Sequence, residues 1–251
     1  MYKALNLKEL FEGNKHSLDY SPKKIINWIN AQESIPRRDL VKGHAFSRVR
    51  SLYDFSRLVE KEKINVDNVC VISGGLDELE LNFLEFNKVF VTSLESGFDL
   101  TDSWKKLKNF KKSYSENFEF VMCNQVLEHV PDPITAFENI FSLTKNGGYI
   151  WISVPVINRI HDEPNFYSSG YHPRYLKFLG DNFGLDIIHI GAWGSLKYKL
   201  FSVARNWPPL RKLKIGLRSN SDLLFPSFVF SNGLKSELDH ITDTWALYRK
   251  K

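Results

Sequence analysis

Residues 118–155 read FEFVMCNQVLEHVPDPITAFENIFSLTKNGGYIWISVP, and their punctuation decides the fold. Phe118 to Cys123 is an apolar run short enough for a buried strand. A polar cluster follows, Asn124 to Asp132, and then a helix with both ends marked. Asp132 can cap it, and Pro133 stands at the first helical position, where a missing N–H costs nothing. Ile134, Phe137, Ile140 and Phe141 recur at helical spacing and give one apolar face. Lys145 is set to oppose the C-terminal dipole, and Gly147-Gly148 to stop the helix by a left-handed exit. Tyr149 to Val154 is a second apolar run, closed by Pro155. Strands joined by a helix in this way lie parallel, in a sheet covered on both faces. Ligands of such sheets bind beyond the carboxyl ends of the strands, and the loop Asn124 to Asp132 is one such end.

Working outward, the 251 residues can bury a substantial core, and 43% hydrophobic with 25% charged residues is an ordinary globular composition. No apolar run approaches the roughly 20 residues that a membrane span needs, and the start MYKALNLKELFEGNK lacks the apolar core of a signal peptide. A cytoplasmic protein is the expectation. Cys70 and Cys123 fall inside expected strands, which predicts buried reduced thiols, neither a staple nor a metal pair. The net charge of +5 permits an acidic or phosphorylated partner without demanding nucleic acid, for which the chain carries no recognised motif.

The loop and helix signals Leu127-Glu128-His129, Pro131-Asp132-Pro133 and Gly147-Gly148 together resemble the class I S-adenosylmethionine-dependent methyltransferases. In that family the fourth strand often ends in Leu-Glu-His and continues through Pro-Asp-Pro, a helix, Gly-Gly and a fifth strand. The resemblance implies a Rossmann-like α/β domain with a seven-stranded, mostly parallel sheet of order 3-2-1-4-5-7-6, its last strand antiparallel. It implies S-adenosylmethionine as the cofactor. Asn68 to Ser73 is the first strand, and its end at Ser73, Gly74 and Gly75 would hold the methionine part, with a helix expected from Leu76 onward. The stretch SGGLDELE lacks the family's acidic residue before the glycines and its wider glycine spacing. Lys88 to Ser93 is the second strand, after which Glu95 would accept from the ribose hydroxyls and Asp99 would lie near the adenine amino group. Asn124 and Gln125 would complete the pocket from the next strand end.

Upstream, a helix from Ser21-Pro22 carries Ile25, Trp28 and Ile29 on one face until Ile35-Pro36 interrupts it. A second, from about Ala45 to Glu60, has a broad apolar side of Phe46, Val49, Leu52, Tyr53 and Val59. Arg37, Arg38, Lys42, His44, Arg48 and Arg50 lie between and along them, either as a solvated face or as a clamp for a substrate phosphate or carboxylate. Residues 1–64 read as a helical extension and 65–251 as the methyltransferase domain, with Lys105 to Lys112 a solvated basic segment. An insertion at about 193–237 carries Trp207-Pro208-Pro209 and a basic run. Leu185 to Ile190 is the sixth strand, and Ile241 to Tyr248 the last.

After the fifth strand, His161-Asp162-Glu163-Pro164 and Tyr171-His172-Pro173-Arg174 precede a helix ending at Phe183-Gly184. This resembles methyltransferases of bacterial glycan assembly, although Ser168 stands where they often carry Arg. His161, His172 and His129 are the candidate general bases, because an unperturbed imidazole titrates near neutrality. Each could instead merely cap or pack. Methyl transfer to an oxygen or nitrogen of a small polar acceptor, most plausibly a sugar, is the favoured function. Glu128 and His129 also resemble the metal-contacting pair of ubiquinone-pathway methyltransferases, but Gln125 stands where those carry an additional Glu, so no metal is expected. Quinone-precursor methylation is a minor alternative, and a non-catalytic partner on a degenerate scaffold is the alternative of a different class.

Overall fold

The structure, a computed structural model of the chain, describes residues 10–11, 22–32, 46–93, 97–102, 118–196 and 238–251. Six strands form one sheet: β1 (Asn68–Ile72), β2 (Lys88–Thr92), β3 (Phe118–Asn124), β4 (Thr144–Pro155), β5 (Asp186–Trp193) and β6 (Asp243–Arg249). Their order is β2-β1-β3-β4-β6-β5. β1 pairs in parallel with β2 and β3, and β3 with β4, whereas β6 runs antiparallel between β4 and β5. Every apolar run read as a strand holds one. A seventh strand beyond β2 is not among the described residues; part of the chain between β2 and β3 lies outside them, including Glu95 and the basic segment 105–112. Outside them too lie Ile35-Pro36, four of the basic residues (Arg37, Arg38, Lys42 and His44), and the insertion beyond Leu196.

Successive side chains of a strand point to opposite faces, and the two halves of the core follow that rule. Cys70, Ile72, Val121, Cys123, Ile150 and Ile152 face helices α3 (Pro133–Leu143) and α4 (Pro173–Asn182), where Phe137, Ile140, Leu176 and Leu179 meet them. Val69, Val71, Phe120, Met122, Trp151 and Trp245 face the other way, onto α1 (Pro22–Ala31) and α2 (Phe46–Glu62), through Ile25, Ile29, Val49, Phe55 and Leu58. Each such fully buried side chain contributes about 1.5–3 kcal/mol. Phe118 breaks the alternation: it joins the α3 face although Phe120 lies on the opposite one, and the β3–β4 register shifts between them. Cys70 and Cys123 are buried free thiols on adjacent strands, as expected. No described helix is long and apolar enough to cross a membrane.

Two local expectations are corrected. Asp132 does cap α3, accepting from Ile134 N and Thr135 N at 3.1 Å each, but the helix ends at Leu143 in an extended Thr144, before Gly147-Gly148. Those glycines belong to β4. Lys145 pairs with Glu119 at 2.8 Å, and the last carbonyls are instead met by Lys250, whose Nζ donates to Phe141 O and Thr144 O at 2.7 and 2.8 Å. The second correction concerns the helix expected from Leu76. Leu76 is exposed, and the chain makes only a 3-10 helix at Leu79–Phe83 before β2. Glu80, one helical turn beyond Leu76, is wholly buried as an ion partner of Arg48, so this segment has no continuous apolar face on which a longer helix could pack.

Candidate functional site

In an open α/β sheet the ligand crevice opens where neighbouring connections depart to opposite faces. The β1–β2 connection packs Leu81 and Leu84 on the α2 side, and the β3–β4 connection is α3 on the other side. The crevice therefore lies between the ends of β1 and β3, which are adjacent. Both strands leave the sheet through a non-glycine residue in the left-handed region, Ser73 with φ 52° and Gln125 with φ 53°. Each such residue stores about 1–2 kcal/mol. Ser73 N and Gln125 N still donate ladder-like bonds to Thr92 O at 2.7 Å and Ser153 O at 2.8 Å, which holds the strained turns in place.

Side chains then join the two turns. Asn124 accepts from Ser153 Oγ at 2.9 Å and donates from Nδ2 to Glu78 Oε2 at 3.1 Å. Glu78 also receives Arg48 Nη2 at 3.0 Å, and Arg48 grips both oxygens of Glu80. Burial and the like charge of Glu80 push the Glu78 carboxyl above its usual range. The glycine turn is overlaid by the chain itself: a Cβ on Gly74 would come within 2.7 Å of Val71 Cγ1 and 2.9 Å of Glu78 Oε1. One on Gly75 would collide only with the flexible carboxylate of Asp77. Asp99 Oδ1 is occupied locally, accepting from Thr101 N at 2.8 Å and Thr101 Oγ1 at 2.7 Å. Arg48 and Arg50 are both held inward by carboxylates, so neither serves the exposed substrate clamp considered from the sequence.

Beside this crevice, the loops after β3 and β4 are laced together. Tyr167 N and Ser168 N donate to Glu128 O at 2.9 and 3.1 Å, and Tyr171 Oη donates to Leu127 O at 2.9 Å. Gly170, at φ 146°, passes so close to β4 that a Cβ would lie 2.5 Å from Pro155 O. This lacing brings His129 and His161 into edge contact, with ring centroids 4.8 Å apart. His129 Nδ1 lies 2.8 Å from Asn165 O and His161 Nδ1 2.7 Å from Arg159 O. A carbonyl only accepts, so each Nδ1 carries a hydrogen towards it, and Nε2 is the ring nitrogen left for other partners.

Glu128 is the residue that the sequence reading did not single out as catalytic. Its carboxylate is wholly buried, 4.0 Å from His129 Nε2, and neither oxygen has a hydrogen-bond partner among the described residues. Burial pushes it up to about 7. Its place between Leu127 and His129 was the available signal. One donor atom from each of His129, His161 and Asp162 lies within 4.8 Å of the others. That spacing is too wide for a shared proton and would admit a cation, although Asp162 is exposed and Gln125 stands where the ubiquinone-pathway enzymes carry an additional Glu. His172 stands apart from the pair as the cap of α4, its Nδ1 accepting from Arg174 N at 3.2 Å. Burial and Arg174 lower its basicity.

Residues 44–190, more than half of the chain, match the family described as a methyltransferase domain, and the chain belongs to that family. The ubiquinone biosynthesis O-methyltransferase of Proteus mirabilis is 36% identical over 67 residues, 27% of this chain and 26% of the relative. The enzyme of that name from Yersinia pestis is 28% identical over 81 residues, 32% and 33% of the two chains. The chain thus spans about a quarter to a third of the length of these curated relatives. Among solved structures, the N-methyltransferase NodS of Bradyrhizobium japonicum in complex with S-adenosylhomocysteine aligns over 92% of this chain and 99% of its own, at 12% identity and TM-score 0.45. A phosphoethanolamine N-methyltransferase of Haemonchus contortus in complex with S-adenosylmethionine aligns over 98% of this chain and 60% of its own, at 10% identity and TM-score 0.40.

Proposed function

We propose that the chain transfers a methyl group from S-adenosylmethionine to a hydroxyl of a small polar acceptor, with a sugar of glycan assembly the acceptor we favour. Membership of the methyltransferase-domain family supports the reaction class. The paired His129 and His161 beside the buried Glu128, whose side-chain oxygens have no hydrogen-bond partner among the described residues, carry the choice of a hydroxyl, since an alcohol must lose a proton and an amine acceptor need not lose one to a strong base. We assign cofactor contacts to Ser73, Gly74, Gly75, Asn124 and Gln125, with Glu95 and Asp99 at the ribose and adenine. The donor supplies an electrophilic methyl on a sulfonium. Held by those residues, it would supply that methyl to the acceptor oxygen and leave as the thioether, and His161 Nε2 would take up the hydroxyl proton. Tyr171 and Gly170 keep the two loops registered, which supports that role for the histidine pair. The seven-stranded order, a helical extension at 1–64 and an insertion at 193–237 belong to the same reading.

The relatives' name favours a second reading, O-methylation of a quinone precursor, over the 67 shared residues. Formation of S-adenosylhomocysteine, followed by mass spectrometry with nucleotide-sugar and dihydroxybenzoate acceptors in parallel, separates the two. His161→Ala should bind S-adenosylhomocysteine as the wild type does and turn over about 100-fold more slowly. Calorimetry in which the wild type binds neither donor nor product at millimolar concentration would favour the non-catalytic scaffold instead.

A further inference from the structure

The ion pair across the crevice has more negative than positive charge. Arg48 is the cation that Glu78, Glu80 and Asp243 share, and burial pushes the Asp243 carboxyl up. Glu80 takes Arg48 through both oxygens, whereas Glu78 uses only Oε2, for Arg48 and Asn124 together. Neither Arg48 nor Asn124 reaches Glu78 Oε1, which lies 2.9 Å from where a Cβ on Gly74 would stand, while the Glu80 carboxylate is near enough to share a proton with Glu78. The Glu78 side chain remains 18% exposed, so a ligand in the crevice can reach it. Asn124, bonded to Oε2, and the turn after β1 flank this carboxylate at the point where the sheet's connections part.

We propose that Glu78 receives the ammonium group at the amino-acid end of the cofactor, an inference that rests on the methyltransferase reading above. Only the ammonium of that molecule is a cation carrying N–H donors; the sulfonium has none to give. A carboxylate already oriented by Arg48 and Asn124 forms a charge-assisted bond to it without losing either partner. The added positive charge also relieves the repulsion between Glu78 and Glu80, which otherwise favours a proton on Glu78. None of the residues expected from the sequence to bind cofactor supplies this charge at the β1 turn. Glu78 supplies it from beyond the glycines.

Calorimetry with two neutral thioethers tests this. S-adenosylhomocysteine carries the ammonium; 5′-methylthioadenosine lacks the whole amino-acid end. In Glu78→Gln, which keeps the shape and a carbonyl for Arg48 and Asn124, affinity for S-adenosylhomocysteine should fall about 10- to 100-fold while that for 5′-methylthioadenosine stays within about twofold. The wild type should show the same fall with S-adenosylhomocysteine stripped of its α-amino group, an arm that stands even where the variant folds poorly. Equal losses for both thioethers in the variant, or wild-type affinity undiminished by deamination, would overturn the assignment. Wild-type protein that binds neither thioether would overturn the methyltransferase reading along with it.

Discussion

Glu128 carries an energetic signature as well as a chemical one. A buried carboxylate whose oxygens accept no hydrogen bond from the described residues destabilises the fold whenever it is ionised. Its rise from the ordinary 4.5 to about 7 makes the native state hold the proton to higher pH than the unfolded chain does. Stability from this group is therefore full below about pH 4.5 and falls as pH rises to about 7, by roughly 3 kcal/mol in all. Glu128→Gln removes that dependence. The variant should gain about 1–3 kcal/mol over the wild type at pH 8, little at pH 4.5, and lose most of its turnover. Urea unfolding at the two pH values reads the first, and a variant less stable than wild type at pH 8 would show that the carboxylate has a stabilising partner. The neighbouring histidines were legible as candidates because imidazole announces its chemistry. Glu128 was not, because its distinction is burial, and burial belongs to the folded loops.

Helix α3 separates what local sequence can show from what it cannot. Its start was readable because Asp132 and Pro133 act on backbone groups two or three residues away. Its end was misread because the cation that meets the final carbonyls is Lys250, 109 positions from Phe141, and proximity in sequence had suggested Lys145. The β1–β2 connection fails in the same way, since the ion pair that buries Glu80 joins it to α2, 32 positions upstream. The two caps of α3 should act independently. Asp132→Ala should cost about 1 kcal/mol, and Lys250→Met a comparable amount. The ends of an 11-residue helix lie about 16 Å apart, so the double variant should cost their sum to within about 0.5 kcal/mol. Thermal unfolding of the three variants checks this, and a marked excess in the double variant would mean that α3 frays from one end into the other.

At the scale of the molecule, the central strands were legible because a sheet covered on both faces makes them short, almost continuously buried apolar runs. The attachment of the N-terminal helices was legible only as an apolar stripe; what fixes α2 to the far edge of the sheet is polar and buried. Asp54 accepts from Trp245 Nε1 at 3.0 Å, pairs with Arg50, and lies 3.4 Å from His189 Nε2, so one carboxylate links α2 to both β5 and β6. Burial alone would raise its titration; the Arg50 charge and the His189 contact outweigh burial and hold it below the ordinary 3.8. A carboxylate held low stabilises the fold at all pH above its unfolded value, and that contribution is lost as pH falls through the folded value. Asp54→Asn keeps an acceptor for Trp245 but removes the carboxylate charge that buried Arg50 pairs with. It should cost about 3–5 kcal/mol at pH 7, and the gap to wild type should narrow as pH falls below about 4, where the wild type loses the same charge. Urea unfolding of both proteins between pH 7 and pH 3 measures that gap; if it is constant across the range, α2 is held to the sheet by its apolar face alone.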